Sequence, residues 1–122
     1  MKLGSGAGFG VRAEEQAAKY LKKKGYRILE RNYRTRTAEV DIIALDGDTV
    51  VFVEVKARAS DLFGTPMEAV GVKKRAKIAQ AAIHYLATKG KDRREAPARF
   101  DVIAIGPEGL EHLPAAFEIL DI

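Results

Sequence analysis

The pattern of hydrophobic and polar positions changes period several times along this chain. From about Val11 to Lys24, the residues Val11, Glu14, Ala17, Ala18 and Leu21 recur at three- and four-residue steps, the spacing of one helix face. Lys22-Lys23-Lys24 followed by Gly25 reads as the end of that helix, with cations at its negative terminus and glycine just beyond. Tyr26 to Tyr33 takes up the two-residue period of a strand, with Tyr26, Ile28, Glu30 and Asn32 on one side and Arg27, Leu29 and Arg31 on the other. Ala38 to Leu45 and Val50 to Arg58 predict a second and a third strand, joined by the hairpin signal Asp46-Gly47-Asp48. A loop over 59–66, with Gly64 and Pro66, leads to a second helix that starts near Glu68 or Lys73 and ends at about Thr88. Ile78, Ala82, Tyr85 and Leu86 are its apolar face. After a charged loop from Gly90 to Pro97, Arg99 to Ile105 predicts a fourth strand buried on both faces. Gly106-Pro107-Glu108-Gly109 is a turn, and Leu110 to Phe117 a short edge strand weakened by Pro114. The order α-β-β-β-α-β-(β) defines an α/β domain with a mixed sheet flanked by helices. Residues 1–9, rich in glycine, read as a loose tail, which leaves 10–122 as a single domain.

Composition narrows the class. A chain of 122 residues that is 47% hydrophobic and 31% charged has material for one packed core. With no cysteine, a disulfide framework, a cysteine nucleophile and a thiolate metal site are excluded. Apolar runs such as Val50–Val53 fall far short of the ~20 residues of a membrane helix. The N-terminus, one lysine and then glycines, has no apolar signal core. A soluble, cytoplasmic protein that engages no membrane is the expectation. The net charge of +4 is distributed in blocks: +7 over residues 1–36, −5 over 37–72, +7 over 73–99 and −5 over 100–122. Basic blocks on a compact domain favour a polyanion such as nucleic acid, against the plainer reading of solvated helix faces and a basic loop.

The candidate chemistry sits on the predicted hairpin. Alternation puts Phe52, Glu54, Lys56 and Arg58 on one face of the third strand and Val51, Val53 and Val55 on the other. On the second strand Glu39, Asp41 and Ile43 share a face opposite Val40 and Ile42. If Gly47-Asp48 is a two-residue loop, Asp46 pairs with Thr49, Asp41 falls opposite Glu54, and Glu39 falls opposite Lys56. Opposed residues have Cβ atoms ~5 Å apart. Two carboxylates that close repel unless a cation lies between them, and a hard divalent ion with oxygen ligands fits. The plainer alternative is a salt-bridged hairpin, Glu39 paired with Lys56 and Asp41 exposed at an edge.

Asp, a hairpin and then Glu-x-Lys resembles the PD-(D/E)xK core of restriction-endonuclease-like folds. Glu14, Gly25-Tyr26, Arg31-Asn32, Glu39-Val40-Asp41-Ile42-Ile43-Ala44, Val51-Phe52-Val53-Glu54-Val55-Lys56, Gly64, Lys74, Arg99-Phe100-Asp101-Val102 and Ala116-Phe117 together resemble the YraN-like bacterial family, over nearly everything after residue 9. The resemblance implies a restriction-endonuclease-like αβββαβ core, similar to that of archaeal Holliday-junction resolvases. It further implies that Asp41 and Glu54 hold a divalent metal, Mg²⁺ or Mn²⁺, and that Lys56 orients the attacking water or stabilises the pentavalent phosphate. Glu14 would complete the metal shell, and Glu39 matches a family position without an assigned role. Ala13 and Ala38 stand where the family usually has glycine before each acidic motif, a mild departure.

Lys73, Lys74, Arg75 and Lys77 open the second helix, where cations oppose the helix dipole unless an anion is near. With Arg34 and Arg36 they are the candidate nucleic-acid contacts; Lys91, Arg93, Arg94 and Arg99 read as solvated charges. His84 and His112 have no metal-ligand spacing, and Asp101, opening a buried strand, reads as a structural hydrogen-bond acceptor. The expected function is metal-dependent endonuclease action on structured or branched DNA, with two copies of the chain, a homodimer, to cut two strands. The alternative is a non-catalytic nucleic-acid-binding or scaffold protein that retains the nuclease fold.

Overall fold

The computed structural model describes residues 5–57 and 71–117, with side chains from Arg12 onward. Its elements are α1 (Ser5–Lys23), β1 (Arg27–Arg34), β2 (Glu39–Asp46), β3 (Thr49–Ala57), α2 (Val72–Ala87), β4 (Ala98–Gly106) and β5 (Gly109–Phe117), with a single 3₁₀ turn at Lys91–Arg93 after α2. The five strands lie in the order β1-β2-β3-β4-β5. Only β3 and β4 run parallel, because α2 carries the chain back across the sheet between them. This mixed sheet with a helix on each face is the expected α/β architecture, and it is compatible with a restriction-endonuclease-like core. No helix among the described residues is long and apolar enough to cross a membrane.

Two hydrophobic layers sandwich the sheet. Ala13, Ala17, Ala18 and Leu21 of α1 pack with Tyr26, Ile42, Ala44, Val51, Val53, Ile103 and Ile105. Ile78, Ala79, Ala81, Ala82 and Tyr85 of α2 pack with Tyr33, Val40, Ile43, Val50, Phe52, Phe100, Val102 and Phe117 on the opposite face. β3 is central, and Val50 to Val53 are wholly buried. α1 ends in a Schellman motif: Gly25 takes φ +95°, Tyr26 N–H donates to the Leu21 carbonyl at 3.0 Å and Gly25 N–H to that of Lys22 at 3.0 Å.

The structure departs from the sequence-based reading in three places. α1 begins at Ser5, so residues 5–9, expected in a loose tail, are helical; glycine weakens a helix but is sterically permitted in one. β5 runs a full nine residues despite Pro114, an edge position where a missing N–H costs no ladder bond. The strict alternation of β1 and β2 fails, for reasons that belong to the site. Residues 1–4, Arg58, the loop over 59–66 and the helix start proposed near Glu68 lie outside the described residues.

Candidate active site

The β2–β3 ladder runs from Asp46↔Thr49 to Ile42↔Val53, the register expected from a two-residue loop. Gly47, at the first loop position, has φ +60°, as a II′ turn requires. Beyond Ile42 the pairing stops. In a continued ladder Val40 would stand opposite Val55; instead Val55 N–H donates to Asp41 Oδ2 at 2.8 Å. The cause is a reversal of face in both β1 and β2. Arg31 and Ile42 lie toward α1, where Arg31 reaches Glu15, whereas Tyr33 and Val40 lie toward α2. Asn32 stands between Arg31 and Tyr33 with φ +54°, and Asp41 between Val40 and Ile42. Val40 and Ile42 therefore occupy opposite faces, not the shared face that alternation predicts. Asp41 is turned into the end of the β2–β3 pairing, where its carboxylate substitutes for a strand carbonyl.

β3 keeps its alternation, so Glu54 lies on the α2 side with Phe52. The Asp41 and Glu54 carboxyl groups come within hydrogen-bonding reach, although the pair lies beyond the end of the ladder rather than in it as the two-residue loop predicted. Burial and the neighbouring Glu54 charge push the Asp41 pKa up to about 7. Burial raises Glu54 as well, opposed by Lys74, by a hydrogen bond from Asp41 and by Lys56. Both carboxyl groups are thus held above their ordinary values, by burial first and, at Asp41, by the charge of its neighbour. Lys74 Nζ lies 3.4 Å from Glu54 Oε2. Glu54 Oε1 is buried with no hydrogen-bond partner of fixed geometry among the described residues.

Glu14 reaches the same end of the sheet from α1. It is joined to Glu39 through Asn32, whose amide, oriented to face acceptors, donates to Glu14 Oε1 at 3.0 Å and Glu39 Oε2 at 3.2 Å. Burial and then Asp41 raise the Glu14 pKa. Glu39 also accepts from Arg34 Nε at 3.2 Å. The Glu39–Lys56 opposition is thus not part of the ladder, and Asp41 is half-buried rather than exposed at an edge. Among the described residues no three acidic or histidine side chains are grouped closely enough to hold one ion. The oxygen donors brought closest together are those of Asp41 and Glu54, hard ligands by chemistry, and one of them, Glu54 Oε1, has no hydrogen-bond partner among the described residues.

Of the candidate nucleic-acid contacts, Arg34, Lys74 and Lys77 line one concavity of about 360 Å³ together with Thr35, Thr37 and Glu39. A second, of about 600 Å³, shares Arg34, Thr35 and Thr37 and continues to Arg36, Gln80 and His84. Lys73 is exposed at the start of α2, and Arg75 is half-buried with its Nε unpartnered among the described residues; neither lines these two concavities. α2 starts at Gly71 with no side-chain cap and no acidic residue in its first turn. The anion that offsets its crowded cations is Glu54 of β3. Gln80 and His84 were not singled out as groove residues from sequence, although their spacing from Lys74 and Lys77 puts them on the same flank of a helix.

Asp101 offers a contrast. It is wholly buried and receives Arg99 Nε at 3.0 Å, His112 Nε2 at 2.7 Å and Ala115 N–H at 2.9 Å. Burial alone would raise its pKa; the bonds from His112, Arg99 and Ala115 outweigh that and hold it below the ordinary aspartate value. Asp101 is the hydrogen-bond acceptor expected from the sequence, and it draws His112 into the core with it.

An α/β sheet protein with a juxtaposed carboxyl pair, Asp41 and Glu54, beside a groove of basic and polar side chains is the class these features define. The model of "Uncharacterised protein family UPF0102" matches residues 13–105, and the chain belongs to that family, the YraN family of the resemblance. It is similar to the UPF0102 protein of Syntrophus aciditrophicus, 52% identical over 114 residues that cover 90% of this chain and 88% of the relative. The UPF0102 protein of Thermodesulfovibrio yellowstonii is 45% identical over 108 residues, covering 88% and 94%. That of Geobacter metallireducens is 48% identical over 115 residues, covering 90% and 92%.

Proposed function

We propose that the protein is a metal-dependent endonuclease acting on structured or branched DNA, with Asp41 and Glu54 as its metal-binding carboxylates. The observation that carries this reading is the juxtaposition of the Asp41 and Glu54 carboxyl groups beside Lys74, which with Arg34 and Lys77 also lines a groove. A structural aspartate in this same sheet, Asp101, has a full set of donors; Asp41 has one N–H and a carboxyl neighbour. A Mg²⁺ or Mn²⁺ ion at the pair would supply Lewis acidity to a phosphate oxygen and a more acidic water. The chain's own residues do the rest. Asp41 and Glu54 present hard oxygens from two strands fixed by the hairpin. Lys56, on the Glu54 face of β3, offers positive charge to the phosphate undergoing attack. Arg34 and Lys77 hold the neighbouring backbone, and Glu14 bounds the site from α1. Cutting both strands of a branch takes two copies of the chain.

One observation favours a second reading, a nucleic-acid-binding protein that retains this fold without turnover: Lys74 already supplies Glu54 with a cation. Incubation with labelled duplex, single-stranded and four-way-junction DNA, with Mg²⁺, with Mn²⁺ and with a chelator, separates the two. Cleavage that needs the metal supports the endonuclease; binding without cleavage under every condition supports the second reading.

A further inference from the structure

The two concavities beside α2 are one continuous feature. They share Arg34, Thr35 and Thr37 on the β1–β2 turn, and their other wall is a single flank of α2. Along that flank Lys74, Lys77, Gln80 and His84 follow at helical spacing. Ten residues of helix at ~1.5 Å each put His84 about 15 Å from Lys74. Lys74 lines the first concavity and pairs with Glu54, so the groove adjoins the acidic pair through this lysine.

The two ends of the groove differ in chemistry. Near the pair Arg34 stands on one wall with Glu39, its ion-pair partner, and Lys74 and Lys77 stand on the other, Lys74 paired with Glu54. Farther out Arg34 is joined by Arg36, and the α2 wall offers Gln80 and His84 in place of lysines. The imidazole is held in place, because Tyr33 O–H bonds to its Nδ1. The opposite wall is stiff as well: Thr35 Oγ1 accepts from the backbone N–H groups of Thr37 and Ala38, and Thr35 N–H donates to the Ala38 carbonyl at 2.8 Å.

The geometry points to a single-stranded polynucleotide as the occupant of this groove, its backbone between Arg34 and Lys77 and its bases against Gln80 and His84. This rests on the nucleic-acid reading above and says which part of a branched substrate enters. Arg34 on one wall and Lys74 and Lys77 on the other would hold one backbone, its phosphates displacing Glu39 from Arg34 and Glu54 from Lys74, whereas a duplex would meet the groove only at its lip. An amide and a fixed ring suit the edges and faces of unpaired bases, which a duplex keeps stacked inside. About 15 Å holds roughly two to four nucleotides, between the ~3.4 Å rise of a stacked strand and about double that when extended.

The test compares binding of a single-stranded DNA 12-mer, the corresponding duplex and a polyglutamate of equal charge, at low salt and without metal. Wild-type protein is compared with Arg36→Glu, Gln80→Ala, His84→Asn and Lys19→Glu, each checked by its thermal melt. Lys19 is exposed on α1, on the other side of the sheet, so Lys19→Glu makes the same charge change as Arg36→Glu away from the groove. The expected result is at least fivefold tighter binding of the single strand than of the duplex or polyglutamate. Arg36→Glu should lose about tenfold of that affinity, and Gln80→Ala and His84→Asn about threefold, with Lys19→Glu near wild type. Equal affinity for duplex and single strand, with Arg36→Glu and Lys19→Glu equally impaired, overturns the groove assignment and leaves the nucleic-acid reading standing. Polyglutamate binding as tightly as DNA overturns the groove's specificity for polynucleotide. Binding to no DNA at all overturns both readings.

Discussion

Lys74 Nζ, carried on α2, stands 3.4 Å from Glu54 Oε2 on β3, and the ion pair joins the helix start to the carboxylate that the sheet buries. Lys74 is half exposed and Glu54 almost wholly buried, so solvent screens the pair from one side only. Lys74 is the strongest of the influences that keep Glu54 ionised. The pair exists only while Glu54 is charged, so its loss should matter more in alkali than in acid. Lys74→Met should cost about 1 kcal/mol at pH 8 and less at pH 5, as read from urea unfolding. An equal loss at both pH values would show that Lys74 contributes through its stem alone.

The Asp41 pKa, raised to about 7, sets the sign of a second prediction. A carboxyl that holds its proton more tightly folded than unfolded favours folding in acid. Its contribution is largest below the ordinary aspartate value, declines as pH rises toward about 7, and is flat above that. Asp41→Asn keeps an acceptor for Val55 N–H and removes the charge. The variant should be more stable than wild type at pH 8, by about 1–2 kcal/mol, and should lose the decline between pH 4 and 7. It should also lose any rise in melting temperature that Mn²⁺ gives the wild type. Thermal melts across pH, with and without Mn²⁺, check all three.

Asp101→Asn should behave in the opposite way. It removes the charge that Arg99 and His112 share and places an amide among donors. A loss of about 3 kcal/mol is expected at neutral pH, the scale for breaking a buried ion pair. In the wild type the Asp101 contribution is present above the ordinary aspartate pKa and is lost as pH falls below it, since its folded value is lowered. Unfolding curves of the two aspartate variants, compared at pH 7, should therefore lie on opposite sides of the wild type.

The hairpin was legible because Asp46-Gly47-Asp48 signals a tight turn, and the two-residue loop, one of the lengths it allows, gives the register from Asp46↔Thr49 to Ile42↔Val53. Gly25 and the alternation of β3 were legible for similarly local reasons. The reversal of face at Asn32 and Asp41 was not. It depends on a positive φ at a residue inside a strand pattern, and on two strands turning over together, which no one-strand periodicity encodes. The partners of Glu54 and Glu39 were hidden for another reason. Lys74 and Arg34 reach them from a helix start and a neighbouring strand, whereas the hairpin alone suggested Lys56.

Phosphate contacts in the groove should appear in the salt dependence of DNA binding. Lys77→Ala removes one groove cation away from the Asp41–Glu54 pair. The slope of log affinity against log salt should become shallower by about one unit, across all sequences alike. An unchanged slope would place Lys77 outside the contact surface.

Cleavage of a branched DNA substrate with Mn²⁺, by wild type and by Asp41→Asn purified identically, tests the central assignment most directly. Wild-type protein should cleave, Asp41→Asn should not, and both should bind the DNA, the variant at least as tightly because a negative charge has left the site. Equal cleavage by the two proteins, or none by the wild type while it binds the substrate, would contradict a metal-dependent endonuclease built on Asp41 and Glu54.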